Sequence, residues 1–186
     1  MPESKPPPEF AGLSLDEIVT LNAAGRLPPV DSWHPTREGD SQMRIAADGT
    51  WYHEGAPIRR PAMVRLFSSI LRREPDGSYA LVTPAEKLSI EVEDAPFVAV
   101  ELKSEGVGRR RRLAFRLNTE AIVVADADHP LRVVDRDNGP CPYIAVRKGL
   151  EALIARSVYY ELAELAIEEQ AEGLWSEGQF FALDAR

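Results

Sequence analysis

The sequence predicts an α+β protein built from two related units, and three observations carry that prediction. Through most of the second half, apolar residues alternate with polar ones at a period of two, the pattern of half-buried strands. Two other stretches, one in each half, repeat at helical spacing instead. Around these helices the residues echo one another at a shift of 96: Ile58 with Ile154, Arg60 with Arg156, Leu66 with Leu162, Leu71 with Ile167. The echo points to two copies of a hairpin-and-helix unit.

Pro6, Pro7 and Pro8 form a stiff N-terminal stub, after which Ser14 and Glu17 offer a capping box for a helix over residues 14–24. Leu15, Ile18 and Val19 make its apolar stripe, and Gly25 is its natural stop. Residues 26–42 contain Pro28, Pro29, Pro35 and Gly39 and leave room for little regular structure, with Trp33 pinning them to the body. Asp48-Gly49 then sets a tight turn between strands at 43–46 and 50–53, because this dipeptide accepts positive φ angles. Pro61 suits the first turn of a helix whose apolar face is Met63, Val64, Phe67, Ile70 and Leu71, with Arg65, Ser68, Ser69 and Arg72 opposite. Pro75-Asp76-Gly77 turns the chain into a strand at 79–83.

From Leu88 onward the period is two. Strands are expected at 88–92, 98–102 and 113–117, then at 121–124, 131–134 and 143–147, separated by Asp, Asn, Gly and Pro clusters that supply turns. The regular short spacing predicts antiparallel pairing. Residues 150–154 fit either a helix or, after the turn signal Lys148-Gly149, a strand. Taken as a strand they complete seven, closed by a helix over 157–170 with Val158, Leu162, Leu165 and Ala166 as its apolar stripe. The division is therefore an N-terminal α+β domain, residues 1–85, and a β domain with a C-terminal helix, residues 86–186.

A chain of 186 residues, 44% hydrophobic and 28% charged, has the composition of an ordinary globular protein. Its net charge of -8 opposes broad contact with nucleic acid or an anionic membrane. The single cysteine, Cys141, fits a reducing compartment, and neither a secretory signal nor an apolar run of membrane-spanning length is present, so a cytoplasmic protein is expected.

Arginines stand where the two long helices begin: Arg59 and Arg60 before the first, Arg156 before the second. A helix N-terminus carries unpaired N–H groups and partial positive charge, so an arginine there calls for a carboxylate partner or an anionic ligand. On the strand at 143–147, Tyr143 and Arg147 project from one face, an aromatic surface beside a guanidinium that suits a base or sugar next to a phosphate. Trp51 and His53 share a face of the first hairpin, where cross-strand packing competes with ligand stacking. The run Arg109 to Arg112 reads as a hairpin tip whose side chains alternate between faces. No zinc, calcium, nucleophile-elbow or phosphate-loop motif is spelled out: His34, His53 and His129 are scattered, and Asp126, Asp128 and His129 read as turn residues.

The segment from Trp51 to Arg60, Val64-Arg65-Leu66-Phe67, Tyr79 to Pro84, and the later Pro142 to Ala152 with Arg156 resemble a family of uncharacterised bacterial domains. The resemblance implies a duplicated architecture, a second half like a pleckstrin-homology fold, a ligand site at the interface of the halves and a nucleotide-related signalling role. The combined expectation is a non-enzymatic ligand-binding or signalling module that holds a nucleotide-like or other phosphate-containing anion. Arg60, Arg147, Tyr143, Trp51, Arg59 and Arg156 are its candidate contacts, with no catalytic or metal-binding residue and no cofactor identified. An enzyme acting on a nucleotide or phosphorylated substrate and a protein-interaction adaptor are the alternatives.

Overall fold

The computed structural model describes Ser14, Asp16 and residues 27–184. The helix expected over 14–24 falls outside them except at those two positions. The first unit runs β1 (Arg37–Ile45), β2 (Trp51–His53), β3 (Ala56–Pro57), α1 (Pro61–Ser69), β4 (Leu71–Arg73), β5 (Tyr79–Val82) and β6 (Glu86–Val92). The second runs β7 (Phe97–Glu105), β8 (Arg112–Leu117), β9 (Ile122–Val124), β10 (Leu131–Arg136), β11 (Gly139–Arg147), β12 (Leu150–Ile154) and α2 (Arg156–Glu168). A last hairpin, β13 (Gly173–Ser176) and β14 (Gln179–Ala182), follows.

Each unit makes a curled six-stranded sheet, ordered β3-β2-β1-β6-β5-β4 in the first and β10-β11-β12-β7-β8-β9 in the second. Numbered within its own unit, each sheet reads 3-2-1-6-5-4 from one edge to the other. In both, the first and last strands meet as a parallel central pair, β1 with β6 and β7 with β12, flanked by antiparallel neighbours. The two related units are thus visible as repeated strand order. The helices are not part of the repeat: α1 follows the third strand of its unit, whereas α2 follows the sixth. The 96-residue echo therefore aligns helices at different places in the topology. Two amphipathic stripes of the same period match at some offset whatever their origin.

The expected seven-stranded antiparallel second half is replaced by six strands with a parallel centre. The strand at 88–92 forms as part of β6 but pairs with β1 and β5. Period-two alternation predicts a strand without naming its partner. The ambiguous stretch 150–154 is β12: Lys148 and Gly149 adopt φ of 32° and 80°, the two positive angles of a type I′ hairpin turn. At Asp48-Gly49 the expected turn also forms, with the Asp48 carboxylate accepting the Thr50 N–H at 2.9 Å. That bond holds the Asp48 carboxyl below its ordinary pKa.

One apolar core serves both units. Ile45, Trp51, Leu71, Leu81 and Ile90 from the first are continuous with Phe97, Phe115, Leu117, Ile144 and Ile154 from the second. Val158, Leu162 and Ala166 bury the α2 stripe in it, each large side chain contributing about 1.5–3 kcal/mol of burial energy. The linker clamps the halves together. Glu93 ion-pairs with Arg44 and accepts the Ala47 N–H at 2.9 Å, while the adjacent Asp94 pairs with Arg136 at 2.9 Å and accepts the Tyr143 hydroxyl at 2.8 Å. No helix among the described residues is long and apolar enough to cross a membrane.

Candidate functional site

Where α1 lies against the second sheet, the two units leave a cleft of 780 Å³. Pro61 opens α1 at a position where its missing N–H costs nothing. The helix then carries Arg65, Ser68 and Ser69 to the cleft, the side that sequence pattern alone marks as polar. Ser68 is nonetheless buried, because its side faces the other unit and not water. Its hydroxyl donates back to the Arg65 carbonyl at 2.8 Å, and that of Ser69 to the Leu66 carbonyl at 2.6 Å. The facing wall is β9 and the loops beside it, from Thr119 to Asp126, with Phe97, His129, Val146 and Arg147.

Arg147 is the electrostatic centre of this cleft. It stands at the end of β11, where the pairing with β12 slips between Ala145 and Arg147 just before the type I′ turn. Its guanidinium donates to the Ser68 carbonyl at 2.5 Å and its central carbon sits 5.4 Å from the Phe97 ring centroid. Among the described residues no carboxylate forms an ion pair with it. Burial lowers its pKa, and the charge of Asp31 opposes that shift. A guanidinium has five N–H donors in a fixed fork that matches carboxylate and phosphate oxygens. Arg65, exposed on the same cleft, also lacks an ion pair among the described residues.

The remaining charges of the cleft among the described residues have partners. Asp126 accepts the N–H groups of Asp128 and His129 at 2.9 and 2.8 Å and lies 2.9 Å from the His129 Nδ1. Arg112 pairs with Glu177 and, at 2.9 Å, with Asp16, while Glu120 pairs with Arg116 at 3.2 Å. Asp126, Asp128 and His129 are thus turn residues, of which Asp126 and His129 also line the cleft.

The other residues expected at a site are not brought to Arg147. Trp51 is 1% exposed, stacked at 6.4 Å on Phe67, a core side chain with no face for a ligand. Tyr143, 2% exposed, is covered by Arg132 and Arg136, whose guanidinium carbons lie 4.6 and 5.7 Å from its ring centroid. Its hydroxyl is held by Asp94, and burial followed by that carboxylate pushes its pKa up. Arg59 and Arg60 are exposed before α1 and do not line the cleft. Arg156, exposed at the start of α2, lines a separate cavity of 210 Å³ with Cys141 and Tyr159. The shared face of Tyr143 and Arg147 is broken by the slip in β11, which reorients Arg147 toward α1.

The basic run does not follow the expected strand alternation, because Gly108–Arg110 form a 3-10 turn and Arg109 and Arg111, of the same parity, take different settings. Arg111 is buried and donates to Glu169 at 2.6 Å and to Ser104, whereas Arg109 lies 4.6 Å over Trp175. Among the described residues no group of three His, Cys, Asp or Glu side chains is arranged to hold a metal ion.

Two family models divide the chain between them: the N-terminal domain of DUF1285, a domain of unknown function, matches residues 28–95, and its C-terminal domain matches residues 96–183. A solved DUF1285 family protein from Silicibacter pomeroyi DSS-3 is 43% identical, covering 90% of this chain and 94% of that one, with a TM-score of 0.78. The chain belongs to the DUF1285 family. A second solved family member, from Shewanella baltica OS155, is 25% identical over 67% of this chain and 92% of its own, with a TM-score of 0.53. No match is found among the curated proteins.

Proposed function

We propose that this DUF1285 protein is a ligand-binding module, cytoplasmic and non-enzymatic, that holds a small organic anion in the cleft between α1 and the second sheet. The observation that carries this reading is Arg147: a half-buried guanidinium that donates to a backbone carbonyl and forms no ion pair among the described residues, opening on a cavity of 780 Å³. Burying a charge without a counter-charge is unfavourable, and an anionic ligand relieves that cost. The cavity falls within the roughly 300–1,000 Å³ common for small-molecule sites. In this reading the second sheet, closed by α2, acts as the pleckstrin-homology-like platform that the sequence resemblance implies, and ligand binding couples the two units in a signalling role.

Nucleotides and other phosphate-bearing molecules are the first ligands to test, by thermal shift at millimolar concentration. At about 100 times Kd a ligand adds about 2.7 kcal/mol to stability. Wild type should be stabilised by at least one anion of the panel and Arg147→Ala by none. Equal shifts in both proteins would remove Arg147 from the site, and no shift with any anion would overturn the reading.

A further inference from the structure

Resting on the binding reading above, we infer that the cleft takes an amphiphilic anion: an apolar organic body ending in a single carboxylate or phosphate head, with polyphosphates excluded. Two features of the cleft lead there. The first is charge. The lining residues include three arginines, Arg65, Arg112 and Arg147, and three carboxylates, Glu120, Asp126 and Glu177. Arg112 is already held by Glu177 and Asp16. Among the described lining residues Arg65 and Arg147 are the cations without an ion pair, so one terminal group of one or two negative charges is matched. A triphosphate would bring further charge against carboxylates fixed in the same wall, where repulsion is weakly screened.

The second feature is what lies behind Arg147. Phe97 and Val123 are 1% and 5% exposed yet line the cleft, and with Val146 they form an apolar floor reaching into the core. Ile122, Val124 and Leu27 continue that surface toward the mouth. A sugar or phosphate chain set on this floor would leave its polar atoms without partners, which is unfavourable. A hydrocarbon or aryl body gains from the same burial. Arg147 itself lies against the Phe97 ring, so head and body are received at adjoining points.

The test is a thermal-shift and calorimetric comparison of decanoate, decyl phosphate, decyltrimethylammonium, AMP and ATP, each below its micelle-forming concentration. Decanoate and decyl phosphate should raise the Tm of wild type by about 5–10 °C near 100 times Kd. Decyltrimethylammonium should not, and Arg147→Met should lose the shift. Ala121→Phe, at an exposed position on the cleft wall, should weaken decyl anions at least tenfold without touching Arg147, and serves if Arg147→Met does not fold. Equal stabilisation by the cationic decyl compound, or binding unchanged in Ala121→Phe, would overturn the inference. Stabilisation by AMP or ATP with none by the decyl anions would overturn it while leaving the binding module intact. No stabilisation by any anion would bring down both.

Discussion

Arg111 is buried and Arg147 half-buried in the second unit, and their surroundings differ in one respect. Arg111 donates twice to the Glu169 carboxylate, at 2.6 and 3.2 Å, and also to Ser104. Arg147 has a backbone carbonyl and the face of Phe97. The first charge is neutralised by the fold and ties the β7–β8 connection to the end of α2. The second has no such ion pair among the described residues. A buried ion pair with its hydrogen bonds complete is a structural device, whereas the half-buried Arg147 without an ion pair among the described residues is what the proposed binding reading rests on.

Substitution at the two positions should separate these roles. Arg111→Met strands Glu169 beside a buried wall and should cost about 3–5 kcal/mol in urea or thermal unfolding. A loss below about 1 kcal/mol would show the pair to be dispensable. A smaller effect concerns pH. Hydrogen bonds from the Gly108 N–H, then Arg111, hold the Glu169 carboxyl below its ordinary value of 4.5. A depressed folded pKa contributes stability that is complete above the unfolded value and is lost as pH falls through the folded one. Wild type should therefore lose stability below about pH 4.5 more steeply than Glu169→Gln, as pH-dependent unfolding curves will show.

Arg147→Met is expected to change stability by no more than about 1 kcal/mol, in either direction, because the charge removed has no acid to strand. Its consequence is loss of anion-induced stabilisation. Smallest of all is Arg156→Ala, an exposed position where a change within about 0.5 kcal/mol is expected, with ligand response intact. If Arg156→Ala rather than Arg147→Met abolished the response, the site would move to the cavity beside Cys141.

Much of the fold was legible because its signals are local. Asp48-Gly49 sets a turn in which Gly49 takes a positive φ, the α2 stripe of Val158, Leu162 and Ala166 needs only helical spacing, and the Lys148-Gly149 signal left residues 150–154 open between helix and strand. The strand β1 was harder to see along its length, since Arg37, Glu38 and Asp40 are exposed and give no alternation. The hairpin β13–β14 escaped notice although Glu177-Gly178 supplies the same turn signal, with φ of 46° and 77°. The parallel pairs β1–β6 and β7–β12 join residues far apart in sequence, and a strand's period says nothing of its partner.

The cleft was legible only in part. Arg147 was named from its strand, but its setting depends on the slip beside it in β11, which period-two alternation does not reveal, and on α1 from the other unit. Trp51 and Tyr143 were read as stacking surfaces because parity on a strand gives a face without saying whether that face is solvent or core. Arg65, Ser68 and Phe97 carried no signal of their own. Ser68 in particular looked like a solvated helix position and lies against the second unit instead.

The most direct test of an Arg147-centred site is an NMR titration observing arginine Nε–H resonances, with Arg147 assigned by its disappearance in Arg147→Met. Adding decyl phosphate should move the Arg147 resonance saturably, with Arg65 following and Arg111 unchanged. Saturable shifts confined to Arg59, Arg60 or Arg156, with Arg147 unmoved, would contradict the account.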